Sequence, residues 1–469
     1  MIEPLEKQIT ALPAAGLISW QNLLNRFLVK AAVDRPVMLA LLGRSWQILA
    51  GPITLLLIAQ FFTPEEQGFY YTFASLLALQ SIIELGFSVV IINVASHEWA
   101  HLSLSEDGRI VGELHALSRL INLGRFAFKW YAFGSLIFMI GVGIAGFVFL
   151  SQSEYSSVQW KAPWFALVAL TGFLLWGTPL TSILEGCNQV ETINKFRLSQ
   201  AVMGSIAFWL TLGLGGGLWA AVVSAGANLL RDLYLILVEY RKFFTSFLRV
   251  RSGTGLNWRN EVLPMQWRLA VAGLVHYIAF YLFSPVMFHY HGVVVAGQMG
   301  MTWQVVSGLQ MASMAWIQPN VPRFGILVAR RDYAELDRVW LRTTLVSLIF
   351  LGCLAVVAWG LVYTLNVFHL PLAQRLLAPL PAGLLLLGGI LFHVSQCESI
   401  YLRAHKREVL MLLSVTSSLL IGALVWWLGS QLGPTAAASA YFGVATCYVI
   451  PLQTLIWFRC RTKWHERSG

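Results

Sequence analysis

The chain has 469 residues, of which 57% are hydrophobic and 12% charged, with a formal net charge of +10. A soluble domain carries roughly 25% charged residues, so a water-facing surface over the whole chain is excluded. The surplus apolar surface has to face lipid, where only helices and closed barrels satisfy their own backbone polar groups. The apolar runs are of helix length, about 20 residues, and do not alternate strictly. An all-α integral membrane protein with twelve transmembrane helices in two six-helix lobes around a central cavity is expected.

Residues 1–36 hold Glu3, Glu6, Lys7, Arg26, Lys30, Asp34 and Arg35 without a long apolar core and cleavage site, so no secretory signal is expected there. Leu17, Ile18, Leu23, Leu24, Phe27 and Leu28 recur at helical spacing, which predicts an amphipathic helix at the membrane surface within a cytosolic tail. Twelve spans follow, at 37–62, 69–95, 127–150, 162–184, 197–214, 217–239, 265–288, 293–318, 344–368, 379–401, 409–430 and 435–458. The five cysteines, Cys187, Cys353, Cys397, Cys447 and Cys460, form no CxxC pair and read as free thiols.

Of the 32 Lys and Arg, 26 fall in the N-terminal tail, the loops after even-numbered spans and the C-terminal tail, counting Arg197 at a span edge. The opposite loops hold two, Lys161 and Arg375, and four more, Arg44, Lys129, Arg231 and Arg268, lie within or at the ends of spans. The positive-inside rule then places both termini in the cytoplasm. The basic excess is accounted for by topology, and no nucleic-acid partner is required.

Six spans per half predict an N-terminal lobe over 37–240 and a C-terminal lobe over 241–469, in parallel orientation. An offset of 224 residues places Arg44 on Arg268, Gly68 on Gly292 and Gln80 on Gln304. A substrate path is expected between the halves.

Charges within spans are costly, at least ~2.5–3.5 kcal/mol at mid-bilayer, and are functional candidates by default. Arg44, Arg268, Arg231, Asp232, Glu84 and Glu398 stand in or at the ends of spans, with His276 and His393. Arg44 and Arg268 are expected to face each other across a cationic cleft, with Arg231 as a further anion contact. Guanidinium forks bind diphosphate oxygens bidentately. Snorkelling to the interface is the alternative for Arg268. Glu84, as an arginine partner, substrate contact or proton carrier, is joined by Asp232 and Glu398 as candidate coupling groups. Trp46 and Trp303 are candidate sugar-stacking faces, with core packing as the alternative. Pro52 and Pro179 interrupt spans 1 and 4 and can seed bends.

His97-Glu98-Trp99-Ala100-His101 matches H-E-x-x-H, whose histidines would share a helix face as zinc ligands. A third ligand does not follow in sequence, and Leu102-Ser103-Leu104 replaces the metzincin continuation. An intramembrane metalloprotease is therefore the weakest alternative, against a solvated helix end.

The run Leu42-Gly43-Arg44-Ser45-Trp46-Gln47, followed by Thr63-Pro64-Glu65-Glu66-Gln67-Gly68-Phe69-Tyr70, resembles the start of Wzx-type polysaccharide flippases. Glu84-Leu85-Gly86-Phe87 and Leu184-Glu185-Gly186-Cys187-Asn188-Gln189 fit as well. These flippases share the MOP superfamily with lipid II flippases and multidrug MATE transporters. The resemblance implies two lobes, a V-shaped cavity and alternating access in a bacterial inner membrane. It implies a substrate of the undecaprenyl-diphosphate-oligosaccharide type, and an anion-binding role for Arg44. Glycosyltransferases and a polysaccharide polymerase are the implied partners. No cofactor and no bond-making chemistry are expected. A MATE-like cation antiporter is the main alternative, which would call for carboxylates in its cavity.

Overall fold

The computed structural model describes residues 35–84, 86–152, 158–249, 274–405 and 407–466. Arg268 and the amphipathic segment at 17–28 lie outside the described residues. Among the described residues twelve long helical units follow in order, with two shorter helices, Arg241–Arg249 and Val321–Arg330, in the connections after the sixth and eighth. They are α1 (Arg35–Phe61), α2 in three pieces (Pro64–Leu77, Gln80–Glu84 and Phe87–Trp99), α3 (Leu114–Leu150), α4 (Lys161–Gly186), α5 (Val190–Gly213) and α6 (Trp219–Tyr234, closed by a π-helical turn Leu235–Glu239). Then come α7 (274–280 and Phe283–His291), α8 (Val293–Met314), α9 (Tyr333–Val367), α10 (Pro379–Ala404), α11 (Met411–Leu432) and α12 (Pro434–Val444, a π turn Ala445–Val449, and Ile450–Glu466).

Eight of these are long and apolar enough to cross a membrane singly, and α2, bent by 41° between its second and third pieces, adds a ninth. α5 carries Glu191, Lys195 and Arg197 in its first turns, but packs along α1 and α6. α7 and α8 complete the set by packing on each other and on α2, α9 and α11. A two-stranded antiparallel hairpin, β1 (Leu102–Leu104) with β2 (Ile110–Gly112), sits outside the bundle between α2 and α3.

Local chemistry sets the helix starts. Thr63 caps α2 by accepting from the Glu66 amide, Glu66 returns the bond to the Thr63 amide, and Pro64 occupies the first helical turn. This is a complete capping box. Pro52 and Pro179 lie inside unbroken α1 and α4. The sharp break in this half is instead in α2, where Gly86 takes φ +64, a conformation that favours glycine. Helices α3 and α9 begin well before the expected spans, at Leu114 and Tyr333, and run for 37 and 35 residues. The stretch between the expected spans 69–95 and 127–150 therefore consists of the end of α2, the hairpin and the first turns of α3.

The halves meet mainly where the first piece of α2 crosses α8. A Cβ on Gly68 would stand 2.1 Å from the Val293 carbonyl oxygen, one on Gly297 2.9 Å from the Gly68 nitrogen, and one on Gly300 2.3 Å from the Tyr71 Cβ. Small residues let helix backbones approach at this range. The buried Gln67 amide donates to the Gly297 and Arg375 carbonyls at 3.0 and 2.9 Å. Arg375, in the loop between α9 and α10, donates to the Phe62 carbonyl at 2.5 Å. Burial pulls the Arg375 pKa down, opposed by the carboxylates of Glu65 and Glu66.

The caps correct the repeat register. Thr63 precedes α2 and Gly292 precedes α8, an offset of 229 in place of 224. Gly68 then corresponds to Gly297, the residue it touches; Arg268, the expected counterpart of Arg44, lies outside the described residues.

Replacing Gly68 by valine is expected to force the crossing apart, at about 1–3 kcal/mol for overpacking. In a cysteine-free background, a thiol placed at the buried Thr302 should then gain labelling by a membrane-impermeant maleimide. Unchanged labelling would show that the crossing does not seal this end.

Candidate functional site

One large cavity, about 1460 Å³, lies in the second half of the chain, walled by α7, α8, α10, α11 and α12 and closed on one side by Tyr70 and Tyr71 of α2. It ends against the glycine crossing. Its mouth lies at the opposite, Lys/Arg-rich end, beside Arg403, Glu408 and Met411. A pocket of roughly 300–1,000 Å³ holds a drug-sized ligand, so there is space here for more than one ring.

Helical periodicity builds the walls. On α8 the positions Gln304, Ser307 and Gln310 recur every three residues, and on α10 Gln396, Ser399 and Arg403 recur at three and four, so each set shares a face. Gln304, Ser307 and Gln396 make no hydrogen bond with any described residue. Gln310 donates to the Gly389 carbonyl at 2.8 Å, and Gln453 is held by Ser395 and Ser399. The Tyr71 hydroxyl has no partner among the described residues although the residue is only 6% exposed.

Trp303 gives the cavity its aromatic wall. Its ring stacks on Phe283 at 4.9 Å and 19° and stands edge-on to Tyr441 at 5.2 Å, which fixes its plane. His276 lies against Phe280 at 4.7 Å. Arg403 and Glu408 approach to 3.6 Å at the mouth, both about two-thirds exposed, where an ion pair is worth little.

Of the sequence-derived candidates, Trp303 and His276 line this cavity, and Arg44, Trp46, Glu84, Arg231, Asp232, His393 and Glu398 do not. The Trp46 indole donates to the Ala201 carbonyl at 3.2 Å and packs on Trp209, joining α1 to α5. Arg44 is exposed, about half a turn round α1 from Trp46, and makes no hydrogen bond or ion pair with a described residue. Helix α1 touches α8 as well as α5, so it stands at the boundary of the halves.

Arg231 is tied up within the first half. Its Nη1 lies 3.2 Å from Glu239, its Nε donates to Ser199 at 2.9 Å, and its guanidinium covers the Phe196 ring. Glu239 closes the π turn at the end of α6, whose wider winding brings position 239 round to the arginine. Asp232 is buried and accepts from Gln200 at 2.8 Å. Glu84, at the break in α2, accepts from Ser88 at 2.6 Å.

Glu398 is 4% exposed, behind the cavity wall. One carboxylate oxygen accepts from Thr454 at 2.8 Å, and the other has no partner. His393 is buried with Nε2 2.6 Å from Ser347. Arg44 of the expected arginine pair does not line this cavity, and among the described residues its lining is charged at Arg403 and Glu408, both at the mouth.

The H-E-x-x-H stretch does not lie on one helix, because α2 ends at Trp99 and Ala100 caps it. Glu98 accepts from Arg119 at 2.7 Å, and His101 stands 3.5 Å from Glu113. Among the described residues no three His, Cys, Asp or Glu gather as a metal set.

No protein-family model matches the chain, and no curated protein matches it. Solved structures do. An inward-facing multidrug-resistance MATE family transporter of the MOP superfamily has a TM-score of 0.61 at 13% identity, over 92% of this chain and 100% of that one. The lipid II flippase MurJ, in an inward closed conformation, has a TM-score of 0.57 at 12% identity, over 92% and 90%. A MOP superfamily transporter from Pyrococcus furiosus Vc1 has 0.51 at 12%, over 93% and 96%. The chain therefore has the fold of the MOP-superfamily membrane transporters, all-α and two-lobed.

A cysteine at Ser307 is expected to react with an impermeant thiol reagent from the Lys/Arg-rich face and not from the other. Comparison of right-side-out and inverted vesicles checks this, and equal labelling from both faces would contradict a closed crossing.

Proposed function

We propose that the chain moves a lipid-linked oligosaccharide across a bacterial plasma membrane by alternating access. The observation that carries this reading is a cavity of hydroxyls, amides and an aromatic plate, open at one end of the bundle. Sugars present hydroxyls that donate and accept, as serine and glutamine side chains do, and apolar ring faces that suit a fixed indole. The lipid tail stays in the bilayer while the headgroup occupies the cavity. The 26-to-2 distribution of basic residues places the open mouth and both termini in the cytoplasm. The two lobes divide at about residue 240.

The diphosphate is assigned to the boundary of the halves, where Arg44 is exposed without a partner. Arg403 stands at the mouth in a weak, exposed pair. Arg231, held by Glu239, supports the first half and does not bind cargo. No covalent bond changes in such a cycle. Enzymes that build and polymerise the glycan are the partners it calls for.

A MATE-like cation exporter is the competing reading, favoured by the fold likeness to a multidrug MATE transporter. The carboxylate on the cavity's own wall is Glu408, at the mouth beside Arg403, so a cationic cargo has no counter-charge inside. Glu398 is the buried carboxylate that such a mechanism would have to use.

In proteoliposomes, Trp303→Ala and Gln304→Ala are each expected to slow translocation of a labelled undecaprenyl-diphosphate oligosaccharide by about ten-fold, the equivalent of one good contact. Arg44→Ala is expected to abolish it, with folded yield unchanged by size-exclusion chromatography. Unchanged rates in all three, together with Glu398-dependent efflux of a cationic dye, would transfer the assignment to the exporter.

A further inference from the structure

We infer that the cavity admits uncharged sugar units and turns away sugars bearing a carboxylate or an ammonium group. The inference rests on the transport reading for its biological setting, but the chemistry is that of the walls. Among the described residues, the charged side chains on the cavity surface are Arg403 and Glu408, and both lie at the mouth. The interior is faced by serines, glutamines, tyrosines and apolar groups, with His276 as its titratable side chain. That imidazole packs against Phe280 and Tyr281 and has no ion pair with a described carboxylate.

A buried carboxylate needs donors only, preferably cationic ones. The free groups here, Gln304, Ser307, Gln396 and the Tyr71 hydroxyl, each combine a donor with an acceptor. Such groups match a hydroxyl in either sense, and their remaining lone pairs repel an anion. An ammonium group fares no better, because the interior offers it no carboxylate. Glu398, the nearest buried acid, is turned to Thr454 behind the wall. A charged unit would therefore enter without compensation and bear most of its desolvation cost. A neutral unit would find the partnerless Tyr71 hydroxyl at the closed end and the Trp303 face beside it. Charge is tolerated outside the interior, at the mouth where Arg403 and Glu408 are open to water and at the boundary of the halves where Arg44 takes the diphosphate.

Two arms test this with the full-length chain in lipid nanodiscs and proteoliposomes. In the first, calorimetry compares a free neutral trisaccharide with the same trisaccharide carrying one C6 carboxylate. The neutral form is expected to bind at least about a hundred-fold more tightly, the size set by one uncompensated charge. In the second, translocation of the two prenyl-diphosphate-linked forms is compared. The neutral form should move, and the uronate should move only in Gln304→Arg or Ser307→Arg, each of which puts a cation into the wall.

Equal handling of the two sugars by the unmodified chain overturns the inference and leaves the flippase reading intact. Absence of binding by either free sugar also overturns it. Selective binding of the free neutral sugar without translocation of its lipid-linked form supports the inference and removes the flippase reading.

Discussion

The crossing of α2 and α8 at Gly68 and Gly297 is the contact on which the arrangement of the halves depends. Two backbones meet there with no side chain between them, and the bond from the buried Gln67 amide to the Gly297 carbonyl closes the gap. In hydrocarbon there is no hydrophobic drive between apolar helices, so close packing and hydrogen bonds must hold them. Because this contact is confined to one end, the other end is left free to part, and the cavity opens there. Within each half the packing is α3 on α4 and α5 on α6 in one and α10 and α11 on α12 in the other, and one hydrophobic core runs on across the crossing, with Phe288 of α7 against Phe69 of α2 and Phe149 of α3.

The ionisable groups inside the bundle divide into two kinds by what surrounds them. Arg231 with Glu239, and Asp232 with Gln200, have their partners within the first half, where removing one member strands the other. The large cavity of the second half has an uncharged interior and presents neutral dipoles in their place. In the proposed transport cycle the cargo has to be released, and many moderate, neutral hydrogen bonds suit that better than a buried ion pair.

Much of the fold is legible in the sequence because lipid leaves few options. Apolar runs mark the helices and the basic loops give their directions, so the twelve units fall close to where hydropathy puts them. The extra turns at Leu114 and Tyr333 escape that criterion because they carry His115, Arg119, Asp337 and Arg338. The site was less legible. Arg231 signals function by its charge alone, and only the π turn at the end of α6, a tertiary adjustment, reveals Glu239 as its partner. The cavity residues had a sequence signal of another kind, the uncharged polar stripe Gln304, Ser307, Gln310 repeated on α10 as Gln396 and Ser399. A search confined to charges passes over it, and Trp303 was found because aromatic residues were weighed as sugar platforms.

Helices α3 and α9 have a mechanical meaning as well. At 1.5 Å per residue they measure roughly 55 and 52 Å, against a hydrocarbon thickness of about 30 Å. Their first turns lie at the Lys/Arg-rich end, one from each half, far from the glycine crossing at the other. In the proposed alternating-access cycle they would be the long arms of two levers with a shared fulcrum. A few degrees of tilt at Gly68 and Gly297 become a stroke of several ångströms at Leu114 and Tyr333, so anything that grips those tips in the water phase sets the angle between the halves.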